Sequence, residues 1–77
     1  MMNEFRTSDL ALASALVCLG FCLEAVEKNY PKSVFIFKRS DGLDESIQAF
    51  WAGSLNVEPK AYFNSIKEIK ARLYSQD

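Results

Sequence analysis

The sequence contains no histidine, and it has only three glycines, two prolines and two cysteines. The lack of histidine removes the side chain that most often acts as a general base near neutral pH and most often binds metals. Three glycines leave no room for a glycine-rich loop that holds phosphate groups. No serine lies in a G-x-S-x-G motif. We therefore predict a protein that is not an enzyme and that binds no metal or other cofactor.

The two cysteines, Cys18 and Cys22, have three residues between them (C-x3-C), whereas zinc sites and redox motifs use a C-x2-C spacing. Two cysteines are also too few for the disulfide framework of a small secreted protein. We expect two buried, reduced thiols and a cytoplasmic location.

The longest apolar run, residues 10–23, is interrupted by Ser14 and Gly20. It is also shorter than the roughly 20 residues that a membrane-spanning helix needs. Residues 1–9 carry Glu4, Arg6 and Asp9, so they lack the net positive charge of a signal peptide. These features predict that the protein is soluble and does not bind membranes.

What the sequence does have is the composition of one small folded domain. Of its 77 residues, 49% are hydrophobic, 25% are charged and 13% are aromatic. Disordered chains are less hydrophobic and more highly charged. Nine basic and ten acidic residues give a net charge of −1, which does not indicate a strongly basic nucleic-acid-binding protein.

The first half of the chain predicts a helix followed by a β-hairpin. Thr7 or Ser8 is a good helix N-cap, and the alanines and leucines after it favour a helix that stops at Gly20. Residues 21–27 alternate as a strand does, and residues 33–37 are β-branched or aromatic apart from the serine. Residues 29–32 form the turn between the two strands.

The second half predicts two helices, separated by Gly53 and a start at Pro59. Their inward faces are Leu43, Ile47, Phe50 and Trp51, and Tyr62, Phe63, Ile66, Ile69 and Leu73. The expected fold class is α+β, in the order helix–strand–strand–helix–helix, with an antiparallel β-hairpin packed on helices. We expect a short lead at 1–6, a single domain at 7–75 and a tail at 76–77.

Two apolar surfaces point to a homodimer. Between residues 10 and 19 only Ser14 is polar, and a domain of this size has difficulty covering such a helix alone. The strand at residues 33–37 is apolar on both faces, so one face packs on helices and the other needs a further cover. The candidate contacts are Ala11, Ala15 and Cys18 on the helix and Val34 and Ile36 on the strand.

An alternative function is that of a nucleic-acid-binding accessory protein. Residues 28–40 carry four positive charges and no acidic residue, with aromatic side chains between them. The candidate contacts are Lys28, Lys32, Lys38 and Arg39, with Lys67 and Lys70 of the last helix. Lysines at strand ends are also a common protection against edge-to-edge aggregation. The alternative interpretation is therefore that these lysines are solvated, protect the strand edges and bind no partner.

Several short motifs follow one another along the chain. They are Thr7-Ser8-Asp9-Leu10 with Leu12-Ala13, then Gly20-Phe21, the strand Val34–Phe37, and Val57-Glu58-Pro59 followed by Tyr62–Lys67. Their order resembles a small prokaryotic domain family of unknown function, over residues 6–74. The resemblance implies a compact α+β domain, often a stand-alone protein of bacteria, archaea or their mobile elements, and it implies no catalytic residue. The two apolar surfaces, rather than the resemblance, lead us to expect a small non-enzymatic interaction module.

Overall fold

The computed structural model describes residues 3–29 and 32–74, which form three strands and three helices. In chain order these are β1 (Glu4–Thr7), α1 (Leu10–Cys18), β2 (Leu23–Asn29), β3 (Lys32–Lys38), α2 (Leu43–Ala52) and α3 (Pro59–Leu73). The α+β class and the antiparallel β2–β3 pair agree with the prediction. The predicted order is wrong at its start, because strand β1 precedes the first helix. Parts of the predicted turn, lead and tail lie outside the described residues.

Strand β1 was not predicted because its four residues are too few to show the alternation of apolar and polar side chains that indicates a strand. Phe5 is its one apolar residue, between the charged Glu4 and Arg6. The strand pairs antiparallel with β3, and its register is Glu4–Lys38, Phe5–Phe37, Arg6–Ile36 and Thr7–Phe35. The sheet order is β1-β3-β2, so the most apolar strand lies in the middle, where it has a neighbour on each side.

The three helices pack on one face of this sheet. Because side chains alternate along a strand, Phe35 and Phe37 point to the helices, whereas Val34 and Ile36 point to the opposite face. The buried core consists of Leu12, Ala13 and Leu16 of α1, Phe35 and Phe37 of β3, Leu43 of α2 and Ile69 of α3. The fold therefore has two layers, and its Cα atoms span 35 × 34 × 19 Å.

Helix α1 is capped by Asp9 and not, as predicted, by Thr7 or Ser8. The Asp9 carboxylate accepts hydrogen bonds from the backbone N–H groups of Ala11 at 2.9 Å and Leu12 at 3.2 Å. Thr7 supports this cap, because its hydroxyl oxygen accepts from the N–H of Asp9 at 3.1 Å. The helix stops where predicted, before Gly20, whose φ of 98° is in the left-handed region that suits glycine.

The chain itself covers the middle of helix α1. All five residues from Leu12 to Leu16 are buried, between the sheet on one side and helices α2 and α3. Towards the ends of the helix, Ala11 is exposed and Cys18 is half-buried. None of the helices within residues 3–29 and 32–74 combines the length and apolar character that crossing a bilayer requires.

Helices α2 and α3 bury narrower faces than predicted. Trp51 is 64% exposed and Phe63 is 57% exposed, although both were expected in the core. Helical residues turn by about 100° each, so Trp51 lies about 80° around the helix from Leu43, and Phe63 lies about 100° from Tyr62. Both positions are at the margin of the buried stripe. The predicted helix limits hold, with Gly53 after α2 and Pro59 as the first residue of α3.

Candidate self-association surface

The helix face that was predicted to bind a second copy is used within the chain. Ala15 is only 2% exposed, and α3 packs along α1. The hydroxyl of Tyr62, on α3, donates a hydrogen bond to the carbonyl oxygen of Ala11 at 3.2 Å. Ala11 remains exposed and Cys18 is half-buried. A close contact between two α1 helices through Ala15 would therefore require α3 to move.

The other predicted contact, Val34 and Ile36, lies on the sheet face that has no helix on it among the described residues. We call this the outer face. It consists of Glu4 and Arg6 of β1, Ala25 and Glu27 of β2, and Lys32, Val34, Ile36 and Lys38 of β3. Ala25 and Val34 are half-buried, and Ile36 is only 4% exposed. The outer face thus has a narrow apolar centre surrounded by charges of both signs.

Arg6 explains how Ile36 is buried without a helix above it. The Arg6 guanidinium lies 3.1 Å from the carboxylate of Glu27 on β2 and 3.6 Å from that of Glu4 on β1. Because β1 and β2 lie on either side of β3, the Arg6–Glu27 pair crosses the central strand. Arg6 is directly opposite Ile36 in the register, so its aliphatic stem covers apolar surface there. The sequence gives no local signal for this pair, since its members are 21 residues apart.

Strand β2 has no strand beside it on the side away from β3 in the described part of the chain. A β-bulge between Leu23 and Ala25 leaves Glu24 without a register partner on β3, and the ladder is regular from Ala25 onwards. At the start of the strand, Arg72 of α3 donates to the carbonyl oxygen of Leu23 at 3.5 Å. We call the remaining segment, Glu24–Lys28, the β2 edge. Its backbone offers hydrogen-bonding groups to a further strand.

A groove of about 170 Å³ opens beside the start of β2. Its floor is apolar and its rim carries one acidic and one basic residue of α3. It is lined by Val17, Phe21, Leu23 and Ile69, with Glu68 and Arg72. The groove is therefore next to the β2 edge, on the helical side of the sheet.

The basic residues of the hairpin do not form one patch. Lys32 and Lys38 share the outer face, but they are at opposite ends of β3, about 20 Å apart for a strand that rises about 3.3 Å per residue. Lys28 lies at the same end of the sheet as Lys32, and it is opposite Ser33 in the register. Arg39 is at the other end, and its guanidinium contacts the Asp44 carboxylate at 2.5 Å.

The two lysines of α3 lie in the helical layer, behind the sheet as seen from the outer face. The Lys67 ammonium is 4.9 Å from the centre of the Phe63 ring. Lys70 is in the last turn of α3, where a positive charge complements the helix dipole. The six candidate nucleic-acid contacts are thus spread over both layers and both ends of the sheet.

The described residues form no cluster of potential metal ligands. No three histidine, cysteine, aspartate or glutamate side chains within residues 3–29 and 32–74 meet as metal ligands. Cys18 and Cys22 are both reduced, the first half-buried and the second exposed rather than buried as expected. Trp51 is an exposed aromatic residue near the end of α2, and its ring packs edge to face on that of Phe50, with 5.0 Å between the ring centroids.

Comparison with protein families gives one match that extends over nearly the whole chain. The model of a family described as a domain of unknown function, DUF5659, matches residues 2–75. The chain therefore belongs to this family, which agrees with the resemblance carried by its motifs. Comparisons with curated proteins and with solved structures give no match.

Proposed function

We propose that this member of the DUF5659 family is a small, non-enzymatic interaction module that acts as a homodimer. The observation that supports self-association best is the one-sided cover of the sheet. Helices pack on its inner face, whereas the outer face and the β2 edge carry no other element among the described residues. A sheet left open in this way is a common place for a second chain to bind. A reducing cytoplasm would keep Cys18 and Cys22 as free thiols.

The oligomeric state tests this proposal directly. We expect light scattering after size-exclusion chromatography to give a mass that rises with concentration from one chain of 8.7 kDa towards two. Sedimentation equilibrium then gives the dimer dissociation constant, against which variants are compared. A mass of one chain at every concentration up to the millimolar range would overturn the proposal.

Nucleic acid is the competing partner, and the same protein preparation tests it. Fluorescence anisotropy with labelled single- and double-stranded DNA and RNA is measured at low and near-physiological salt. We expect no saturable binding, because Lys32 and Lys38 are far apart and Arg39 already contacts Asp44. Binding that falls steeply with salt and is weakened by Lys38→Glu, but not by the exposed control Lys60→Glu, would replace the module proposal with a nucleic-acid-binding function.

A further inference from the structure

The charges of the β2 edge are arranged so that the strand complements itself. Glu24 and Lys28 lie two residues on either side of Val26, which is the middle residue of strand β2. When two identical strands pair antiparallel about a two-fold axis at their middle residue, positions equally distant from the middle face each other. Glu24 of each copy would then be opposite Lys28 of the other, twice in one interface.

We propose that a second copy of the chain binds the β2 edge, with the two β2 strands antiparallel about a two-fold axis at Val26. This inference rests on the proposed homodimer and names its contact. The two three-stranded sheets become one six-stranded sheet, with the helices of both copies on the same face. Ala25 of each copy is opposite Glu27 of the other. Val26 is also the middle residue of the β2 edge, so this register overlaps the whole of Glu24–Lys28.

The other open surfaces fit a second copy less well. On the outer face, Ile36 is already only 4% exposed within the chain, and Arg6 opposite it is held by ion pairs with Glu4 and Glu27. The opposite edge of the sheet is β1, which has only four residues. Pairing two β1 strands about Phe5 would place Glu4 opposite Arg6, but Arg6 is already held by ion pairs with Glu4 and Glu27 of its own chain. The greater length of β2, seven residues against four, therefore favours the β2 edge.

Helix α3 sets the extent of the contact. Arg72 approaches the carbonyl oxygen of Leu23, so the partner strand is received along Glu24–Lys28 rather than at the start of β2. The groove between β2 and α3 adjoins this segment, and its rim residue Glu68 carries a further negative charge on the helical side. The edge thus combines backbone groups, a charge pattern and adjoining apolar surface.

Charge exchange tests the register as well as the surface. In the proposed dimer, position 24 of each copy is opposite position 28 of the other. The variant Glu24→Lys therefore places two lysines opposite each other at both ends of the paired strands, and the variant Lys28→Glu places two glutamates there. Since like charges then replace an ion pair at both ends of the paired strands, dimerisation should weaken about tenfold or more. The double variant Glu24→Lys with Lys28→Glu restores both pairs and should dimerise as the unmodified chain does.

Mixing the two single variants is the sharpest measurement. A chain with two lysines and a chain with two glutamates complement each other at both positions, so a one-to-one mixture should form a heterodimer although each variant alone is mostly monomeric. Sedimentation velocity of each variant and of the mixture measures this. Lys28 also has a contact within its own chain, so circular dichroism of each variant confirms the fold, and the double variant controls for that contact.

The outcomes separate this inference from the homodimer itself. If the unmodified chain stays monomeric, both fail, and Lys28 is then a charge that protects the edge. If it dimerises and both single variants dimerise as tightly, or the double variant and the mixture do not recover, the β2 edge is not the contact and the homodimer stands. Val34→Lys tests the outer face. If Val34→Lys makes the dimer dissociate while the variants at Glu24 and Lys28 do not, the contact lies on the outer face instead.

Discussion

Ser14 is the one described residue with a fully buried side-chain polar atom that lacks a hydrogen-bond partner. It lies in the middle of α1, where both the desolvated hydroxyl and the lower helix propensity of serine act against folding. We predict that Ser14→Ala raises the free energy of unfolding by about 0.5–2 kcal/mol, measured by urea denaturation with Trp51 fluorescence. The matched control is Ser65→Ala, because the Ser65 hydroxyl donates to the Ala61 carbonyl at 3.0 Å. That change should be neutral or slightly destabilising, and equal losses at both serines would contradict the prediction.

At the scale of the helix, Asp9 is the residue that fixes where α1 begins. Its carboxylate accepts two backbone N–H groups that would otherwise have no partner inside the helix. Asp9→Ala should lower the free energy of unfolding by about 1 kcal/mol, and Asp9→Asn should restore most of it, because asparagine caps equally well. Thermal unfolding followed by circular dichroism measures both. Ser8→Ala, next to the cap, should change nothing, and an effect there as large as at Asp9 would return the cap to the residue that the sequence suggested.

At the scale of the sheet, Arg6 links the two outer strands across the central one. We predict that Arg6→Ala lowers the free energy of unfolding by about 1 kcal/mol, because it uncovers Ile36 and removes two exposed ion pairs. Arg6→Met keeps an apolar stem over Ile36 and should lose less than half as much. Chemical denaturation of the two variants separates packing from charge. Equal losses would mean that the ion pairs, rather than the stem, stabilise the sheet.

The elements differ in how much the sequence reveals of them. Strand β3 and the start of α3 could be predicted because their signals are local, an apolar run in one case and Pro59 after Glu58 in the other. Strand β1 could not, since four residues with one apolar side chain carry no periodic signal and the strand exists only through its pairing with β3. In the candidate site, too, some features could be predicted from local sequence and others could not. Val34 and Ile36 could be placed on one face by alternation, but their cover by Arg6 depends on a contact between distant residues.

At the scale of the whole molecule, a two-layer fold of this size would gain stability from a partner that covers the outer face or the β2 edge. The core lies between a three-stranded sheet and three helices, and a domain of 77 residues has little reserve of buried surface. In the proposed homodimer, a second copy that binds only the folded chain would add stability that depends on concentration. The proposal therefore predicts that stability and self-association are linked.

That link makes the melting temperature a measure of the dimer. We predict that raising the protein concentration about a hundredfold through the dimer dissociation constant increases the melting temperature by several degrees, as mass action requires when only folded chains associate. Glu24→Lys and Lys28→Glu should each melt at a temperature independent of concentration over the same range, and their equimolar mixture should regain the dependence. Added salt should reduce the slope for the unmodified chain, because the two charge pairs at the β2 edge are exposed and screened. If the melting temperature of the unmodified chain does not change with protein concentration, the two-layer fold gains no stability from a second copy.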